Sequence, residues 1–121
     1  MSTVSTKEVQ LLMEAGFLAA NGGMIEQAQK IFEGVQAVRP GSEFAHIGRA
    51  VTQMAANNMD EAAKILREDA LKANPDNLQA KMFLALVLKL ANRGGECDQV
   101  IEQLQKSEDA AAQEFASSLM A

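Results

Sequence analysis

The chain contains no tryptophan and no tyrosine, and its only aromatic side chains are five phenylalanines among 121 residues. Aromatic and β-branched residues lose side-chain freedom in a helix, whereas Ala, Leu, Met, Gln, Glu and Lys lose little. Hydrophobic residues make up 48% of the sequence, and seven of them are methionines. The composition therefore predicts a helical protein, and the length suits one domain covering residues 1–121.

Cysteine is scarce as well, because Cys97 is the only one. A single thiol cannot form an intramolecular disulfide, and it excludes a Cys-rich zinc site. The first residues, MSTVSTKEVQ, show no basic segment followed by an apolar run, and no apolar stretch approaches the roughly 18 residues of a membrane span. These features predict a cytoplasmic location and no membrane insertion.

The sequence also lacks an excess of positive charge. Eleven Lys and Arg residues stand against sixteen Asp and Glu residues, which gives a net charge of −5. Proteins that bind nucleic acid or anionic membranes directly neutralise phosphates with clustered basic side chains, and no cluster longer than a pair occurs here. The sequence therefore predicts that the protein binds neither nucleic acid nor anionic membranes directly.

Apolar residues recur at three- and four-residue spacing between short polar breaks, and no segment alternates with period two. Ser5 and Glu8 form a capping box before the first helix, and the doublets Gly22-Gly23 and Gly94-Gly95 look like helix stops. The sequence predicts an all-α fold with helices over about 6–20, 24–38, 43–56, 60–73, 77–93, 97–106 and 108–119.

Two segments share one pattern: NGGMIEQAQKIFEGVQAVRP at 21–40 and NNMDEAAKILREDALKANP at 57–75. In the first, Ala28 precedes Phe32 by four residues, and in the second Ala62 precedes Leu66 by four. The tetrapeptides QKIF and AKIL lie 34 residues apart, and the two prolines lie 35 apart. The pattern indicates one structural unit used more than once.

This unit resembles the tetratricopeptide repeat, a helix-turn-helix of about 34 residues with an A-x₃-F motif and a closing proline. The resemblance implies a right-handed superhelix of about three hairpins, over about 9–42, 43–77 and 78–107, followed by a C-terminal helix over about 108–119. Three departures stand against it: an extra residue before Pro75, Val100 in place of Ala, and no proline after the third unit. The alternative is a bundle of six or seven helices without repeat geometry.

The resemblance also implies where a partner binds, because the first helices of stacked hairpins line a concave groove. The positions carried over to this chain are mostly apolar: Met13, Phe17, Phe44, Ile47, Val51, Met54, Met82, Leu86 and Leu90. An apolar groove with methionines suits the hydrophobic face of an amphipathic helix, or an extended segment. The alternative is that several of these side chains fill the core.

Residues for catalysis are few. His46 is the only histidine, which excludes a His-based triad and a two-histidine metal site. Cys97 lies between Glu96 and Asp98, whose charges oppose thiolate formation. The sequence predicts no enzyme activity, no cofactor and no metal.

A small acidic chain built of about three such repeats is similar to the small chaperones of bacterial type III secretion. That resemblance implies a cytoplasmic chaperone or adaptor that holds an amphipathic segment of a secreted subunit and prevents its polymerisation. The alternative function is a structural interaction module that forms a homodimer or an assembly with another subunit through the same apolar faces.

Overall fold

A computed structural model describes residues 4–120 and places them in seven helices without a β-strand. The helices are α1 (Thr6–Asn21), α2 (Ile25–Val38), α3 (Glu43–Ala55), α4 (residues 59–73), α5 (Leu78–Leu90), α6 (Gly94–Gln105) and α7 (Ala110–Met120). The predicted all-α class is confirmed for this range, and none of its helices is long and apolar enough to cross a membrane. Residues 1–3 and 121, which the predicted domain includes, lie outside the described residues.

Consecutive helices pack against each other as antiparallel neighbours joined by short connections. In addition, α1 contacts α3, α3 contacts α5, and α7 packs on both α5 and α6. The first six helices thus form three hairpins, α1–α2, α3–α4 and α5–α6. Their first helices contact each other in chain order, α1 with α3 and α3 with α5.

The turns within the three hairpins have the same backbone geometry. Each has one residue with positive φ: Gly23 at 80°, Asn57 at 63° and Asn92 at 62°. The next residue donates its N–H to the carbonyl five residues earlier, in the bonds Met24–Ala19 (2.8 Å), Asn58–Gln53 (2.8 Å) and Arg93–Leu88 (2.9 Å). This is the Schellman arrangement, which satisfies the last carbonyls of a helix and favours Gly or Asn at the left-handed position.

The third turn differs from the prediction made for it. Gly94-Gly95 was expected to end the fifth helix, but that helix ends at Leu90 and the two glycines begin α6. Asn92 supplies the left-handed residue, because an Asn side chain can hydrogen-bond locally in this conformation.

The first two connections between hairpins also match. Ser42 donates its N–H to the Arg39 carbonyl at 3.0 Å, and Asn77 donates to the Asn74 carbonyl at 3.2 Å. Pro40 and Pro75 follow directly after the helix-ending residues of these connections, where a proline prevents helix continuation. The third connection has no proline, and its first residue, Lys106, keeps helical φ and ψ.

The extra residue of the second unit coincides with a π-helical turn in α4. This helix is regular over Met59–Ile65, π-helical over Leu66–Ala70, and regular again over Leu71–Ala73. From Gly23 to Arg39 is 16 residues, whereas the matching interval from Asn57 to Asn74 is 17. A π-bulge accommodates one added residue within an α-helix, so α4 absorbs the insertion before Pro75 is reached.

The main hydrophobic core is formed by residues of the helices α3 to α7, and it consists mostly of Ala, Leu, Ile and Val. A second, smaller cluster joins α1 and α2 through Ala20, Ala28 and Phe32. Val51 of α3 packs against both clusters and so connects the first hairpin to the rest of the core.

Phe32 is the centre of the smaller cluster and is fully buried. A methyl group added to Gly16 of α1 would lie 2.6 Å from its ring, and one added to Gly48 of α3 would lie 2.2 Å from it. Both distances are far below van der Waals contact. The ring therefore needs glycine on both neighbouring helices, and this close approach brings α1, α2 and α3 together.

An ion-pair network connects α4 with the start of α6. Arg93 donates to Glu96 at 2.7 Å and to Asp60 at 3.0 Å, and Arg67 of α4 also donates to Glu96. The hydrogen bonds from Arg93, and then those from Arg67, lower the pKa of Glu96 from its ordinary value of 4.5 to about 2.

Replacing Gly48 with Ala is expected to destabilise the protein by about 1–3 kcal/mol, because the methyl group overpacks the Phe32 site. The matched control is Gly34→Ala, since nothing lies within 4 Å of a methyl group at this helical position. That change should stabilise by about 0.5–1 kcal/mol, as alanine favours a helix over glycine. Urea unfolding measures both, and equal midpoints for the two variants would contradict the Phe32 packing described above.

The lowered pKa of Glu96 predicts a loss of stability in acid. The network stabilises the fold fully above pH 4.5, and this contribution disappears as the pH falls toward 2. Glu96→Gln should therefore lose less stability than the wild type between about pH 5 and about pH 3. Glu33→Gln removes an exposed carboxylate that has no ion pair within residues 4–120, and it should leave the wild-type pH dependence intact. Denaturant unfolding at each pH checks this, and identical acid profiles for the two variants would count against it.

Candidate binding groove

An open groove runs between α1 and the beginning of α3, and we refer to it as the α1/α3 groove. It has a volume of about 680 Å³. Its lining residues are Thr6, Val9, Gln10, Met13, Glu14 and Phe17 from α1, Arg39 and Ser42 from the connection, and Phe44 from α3. The volume lies within the range of about 300–1,000 Å³ that is typical of ligand-binding clefts.

The wall of this groove follows from the helical period of α1. Val9, Met13 and Phe17 are spaced four residues apart, so their side chains lie on adjacent turns of one face. From Thr6 to Phe17 the wall extends over eleven residues, or about 16 Å at the helical rise of 1.5 Å. On the opposite side Phe44 is 49% exposed, which is unusual for a side chain of its size. The groove is therefore a mostly apolar surface about three turns long.

Phe17, at one end of the wall, rests on the Phe32 site. The two rings meet edge to face, with centroids 5.1 Å apart and an interplanar angle of 63°. Phe32 is fully buried between Gly16 and Gly48, so its partner ring has a fixed support. The packing of the first hairpin thus sets the shape of the groove.

Two charged residues lie on the groove. Arg39 donates to the Val38 carbonyl at 3.0 Å and to the Val4 carbonyl at 2.9 Å, and so ties the connection to the start of α1. Glu14 is exposed on α1 and forms no ion pair with any residue in the range 4–120. The groove therefore carries opposite charges at separate positions.

A second apolar depression, the α5/α7 cleft, lies at the other end of the helix array. It has a volume of about 260 Å³ and is lined by Gln79, Met82, Phe83, Leu86 and Phe115. All but Gln79 are half-buried hydrophobic side chains, and Met82, Phe83 and Phe115 pack against the main core. Among the described residues, the two depressions share no lining side chain.

The nine residues predicted to form one groove are divided among different environments. Met13, Phe17 and Phe44 line the α1/α3 groove, whereas Met82 and Leu86 line the α5/α7 cleft. Val51 and Met54 are half-buried on α3 and pack against the core. Ile47 is 1% exposed within the core, and Leu90 is 56% exposed at the end of α5. Ile47 is therefore a buried residue of the main core in this structure and does not line either depression.

Several groove residues were absent from the predicted set. Val9 shares the four-residue spacing of Met13 and Phe17, so the period alone could have included it. Arg39 comes from a connection, and Phe115 comes from the terminal helix, which the repeat pattern does not cover. Only the three-dimensional packing brings these two side chains to the apolar surfaces.

His46 belongs to a small polar cluster between α3 and α4. Its Nδ1 atom lies 3.1 Å from an Arg49 guanidinium nitrogen, which in turn lies 3.4 Å from an Asp69 carboxylate oxygen. The pKa of His46 is lowered from its ordinary value, mainly by burial. The nearby Asp69 opposes this shift, and Arg49 adds to it. At neutral pH the neutral ring therefore accepts a hydrogen bond from Arg49, and the cluster links α3 to the π-helical turn.

Cys97 is buried, and its thiol donates a hydrogen bond to the Ala85 carbonyl at 3.2 Å. Burial, with a smaller contribution from Asp98, raises the pKa of the Cys97 thiol. A protonated, buried thiol is a poor nucleophile and a poor metal ligand. Within residues 4–120, no group of three His, Cys, Asp or Glu side chains is arranged to hold a metal ion.

The chain was compared with models of known protein families and with curated proteins, and neither comparison finds a match.

Proposed function

We propose that this chain is a protein-binding module, a chaperone or adaptor that holds an amphipathic helix of a partner in the α1/α3 groove. The observation that carries the proposal is the open apolar wall of Val9, Met13 and Phe17, which are half-buried and line the groove together with the half-exposed Phe44. Apolar surface exposed in one patch is a common mark of a protein interaction site.

The repeated turn geometry supports an arrangement like that of tetratricopeptide repeats. The left-handed residues Gly23, Asn57 and Asn92 lie 34 and 35 residues apart, and the hydrogen bonds around them recur with the same offsets. Because each unit continues the stack of the one before it, α1, α3 and α5 would line the inner face of a right-handed superhelix. The apolar groove and cleft would then lie on that inner face.

The groove would act by covering an apolar surface, without chemistry. A subunit that polymerises must expose an apolar helix face, and such a face aggregates when it is free in solution. Met13 suits this task because an unbranched thioether adapts to partners of different shape, while Phe17 and Phe44 supply large contact areas. Binding of this kind is reversible, as a chaperone requires.

A cytoplasmic chaperone of bacterial type III secretion is the specific form of this proposal. Its support is the acidic composition and the three consecutive helical hairpins, with a mostly apolar groove along α1. The partner would be a secreted subunit whose amphipathic segment is held until export.

A second candidate function is self-association, and the outer face of α1 favours it. Leu11 and Leu18 are 56% and 73% exposed on this face, and Ala15 lies between them at helical spacing. This surface is separate from the α1/α3 groove, so a homodimer formed through it would leave the groove open.

Replacing Phe44 with Glu is expected to abolish capture of the partner, because a charge would be buried against the apolar wall. Leu86→Glu tests the α5/α7 cleft in the same way. The measurement is affinity capture from the source cells with quantitative mass spectrometry, followed by titration of the captured protein.

Leu18→Glu is the matched control, since it adds the same charge to an exposed apolar position outside both depressions. Circular dichroism establishes that all variants are folded. The groove assignment fails if folded Phe44→Glu and Leu86→Glu proteins retain the partner with the affinity of the control.

Light scattering tests self-association independently. If α1 forms the interface, Leu18→Glu converts a dimer to a monomer, whereas Phe44→Glu leaves the mass unchanged. A monomeric wild-type protein at about 100 µM, well above the micromolar range of transient contacts, contradicts this second candidate.

A further inference from the structure

We propose that the occupant of the α1/α3 groove is an amphipathic helix with a carboxylate at the Arg39 end, a basic side chain facing Glu14, and apolar residues between them. This inference rests on the proposed function and adds the charge pattern and the conformation of the partner. It depends on Arg39, on Glu14 and on the spacing between them.

Arg39 is held in place with part of its hydrogen-bonding capacity still available. One guanidinium nitrogen donates to the Val38 carbonyl and the other to the Val4 carbonyl, at 3.0 Å and 2.9 Å. An arginine has five N–H donors in a fixed plane, so donors remain for a ligand. Arg39 forms no ion pair with any residue in the range 4–120, and a carboxylate is the group that fits such a planar donor set best.

Glu14 supplies the opposite charge further along the same wall. It lines the groove, it is exposed, and it has no ion pair within residues 4–120. A Lys or Arg on the occupant would complete a pair with it at the edge of an apolar contact. Met13 and Phe17 lie next to it on α1, so the same occupant would cover them.

The separation of the two charges determines the spacing on the occupant. Arg39 is tied to Val4, just before α1 begins at Thr6, and Glu14 lies eight residues after Thr6, or about 12 Å along the helix. On an occupant helix this distance corresponds to charges about seven or eight residues apart, with apolar positions on the turn between them. An acid before a base also agrees with the dipole of the occupant helix, so it would run in the same direction as α1.

A helical occupant is favoured over an extended one by hydrogen bonding. An extended segment on this mostly apolar wall would find few backbone partners in the protein, because residues 4–120 contain no strand edge to pair with it. A helix pairs these groups internally and presents side chains only, which is what the helical walls of the groove can accommodate.

The test uses four synthetic helical peptides with blocked termini, so that only side-chain charges differ. The parent carries Glu at position i, Leu at i+3, i+4 and i+7, and Lys at i+8. In the others, Gln replaces the Glu, the Lys, or both. Fluorescence anisotropy gives the Kd of each peptide for the wild type and for Glu14→Gln, Glu14→Lys and Arg39→Lys, with Glu33→Lys on α2 as a control of equal net charge.

For the wild type, loss of either peptide charge should weaken binding by about two- to fivefold, the range of partly exposed ion pairs. In Glu14→Gln the Lys of the peptide should no longer matter, while its Glu should still count. In Glu14→Lys the preference should reverse, so that the peptide without Lys binds more tightly than the parent. Arg39→Lys keeps the charge but loses the planar donors, so it should retain only part of the preference for Glu.

Two failures are distinguishable. If the parent peptide does not bind the wild type at all, both this inference and the helix-binding groove are wrong. If all four peptides bind with the same Kd, or if Glu33→Lys changes the charge preference as much as Glu14→Lys, the groove binds helices but the charge assignment is overturned.

Discussion

The insertion of one phenylalanine ring between two glycines holds the first three helices together. Phe32 lies so close to Gly16 and Gly48 that any larger residue at either position would overlap its ring. The small cluster around Phe32 meets the main core through Val51, which links the first hairpin to the rest of the molecule. Fully burying an aromatic side chain contributes roughly 2–3 kcal/mol, which is a large share of the free energy of unfolding of a typical domain, about 5–15 kcal/mol.

The candidate groove depends on the same contact. Phe17 packs edge to face on Phe32, so the position of the groove wall is set by the core beneath it. At the other end of the groove, Arg39 donates a hydrogen bond to the Val4 carbonyl and so ties the connection after α2 to the segment before α1. A displacement of the first hairpin would therefore change both the width of the groove and the distance between its two charges. Binding of a helix in this groove would be coupled to the packing of the hairpin, because both involve these residues.

The helical fold and most helix limits were predictable from period and caps, because those signals are local. Asn92 was missed as a helix stop because the neighbouring glycine pair is the stronger local signal, although it begins α6. The site was less predictable. Phe44 and Ile47 lie on one face of α3, yet Phe44 is 49% exposed and Ile47 is 1% exposed. The helical period of apolar residues identifies a face of a helix, but it does not show how far a neighbouring helix covers that face. It also gives no information on residues in connections, such as Arg39.

The π-helical turn of α4 has a consequence for the half of the molecule that follows it. One residue added to an α-helix rotates every later side chain by about 100° around the axis. Such a rotation would turn Ala70 away from the core, in which it is fully buried. By widening one turn over Leu66–Ala70, the helix restores the angular phase. Asn74 then ends the helix with a φ of −146°, close to the −138° of Arg39 one unit earlier. The connection to the third hairpin therefore keeps the backbone geometry of the connection to the second, despite the added residue.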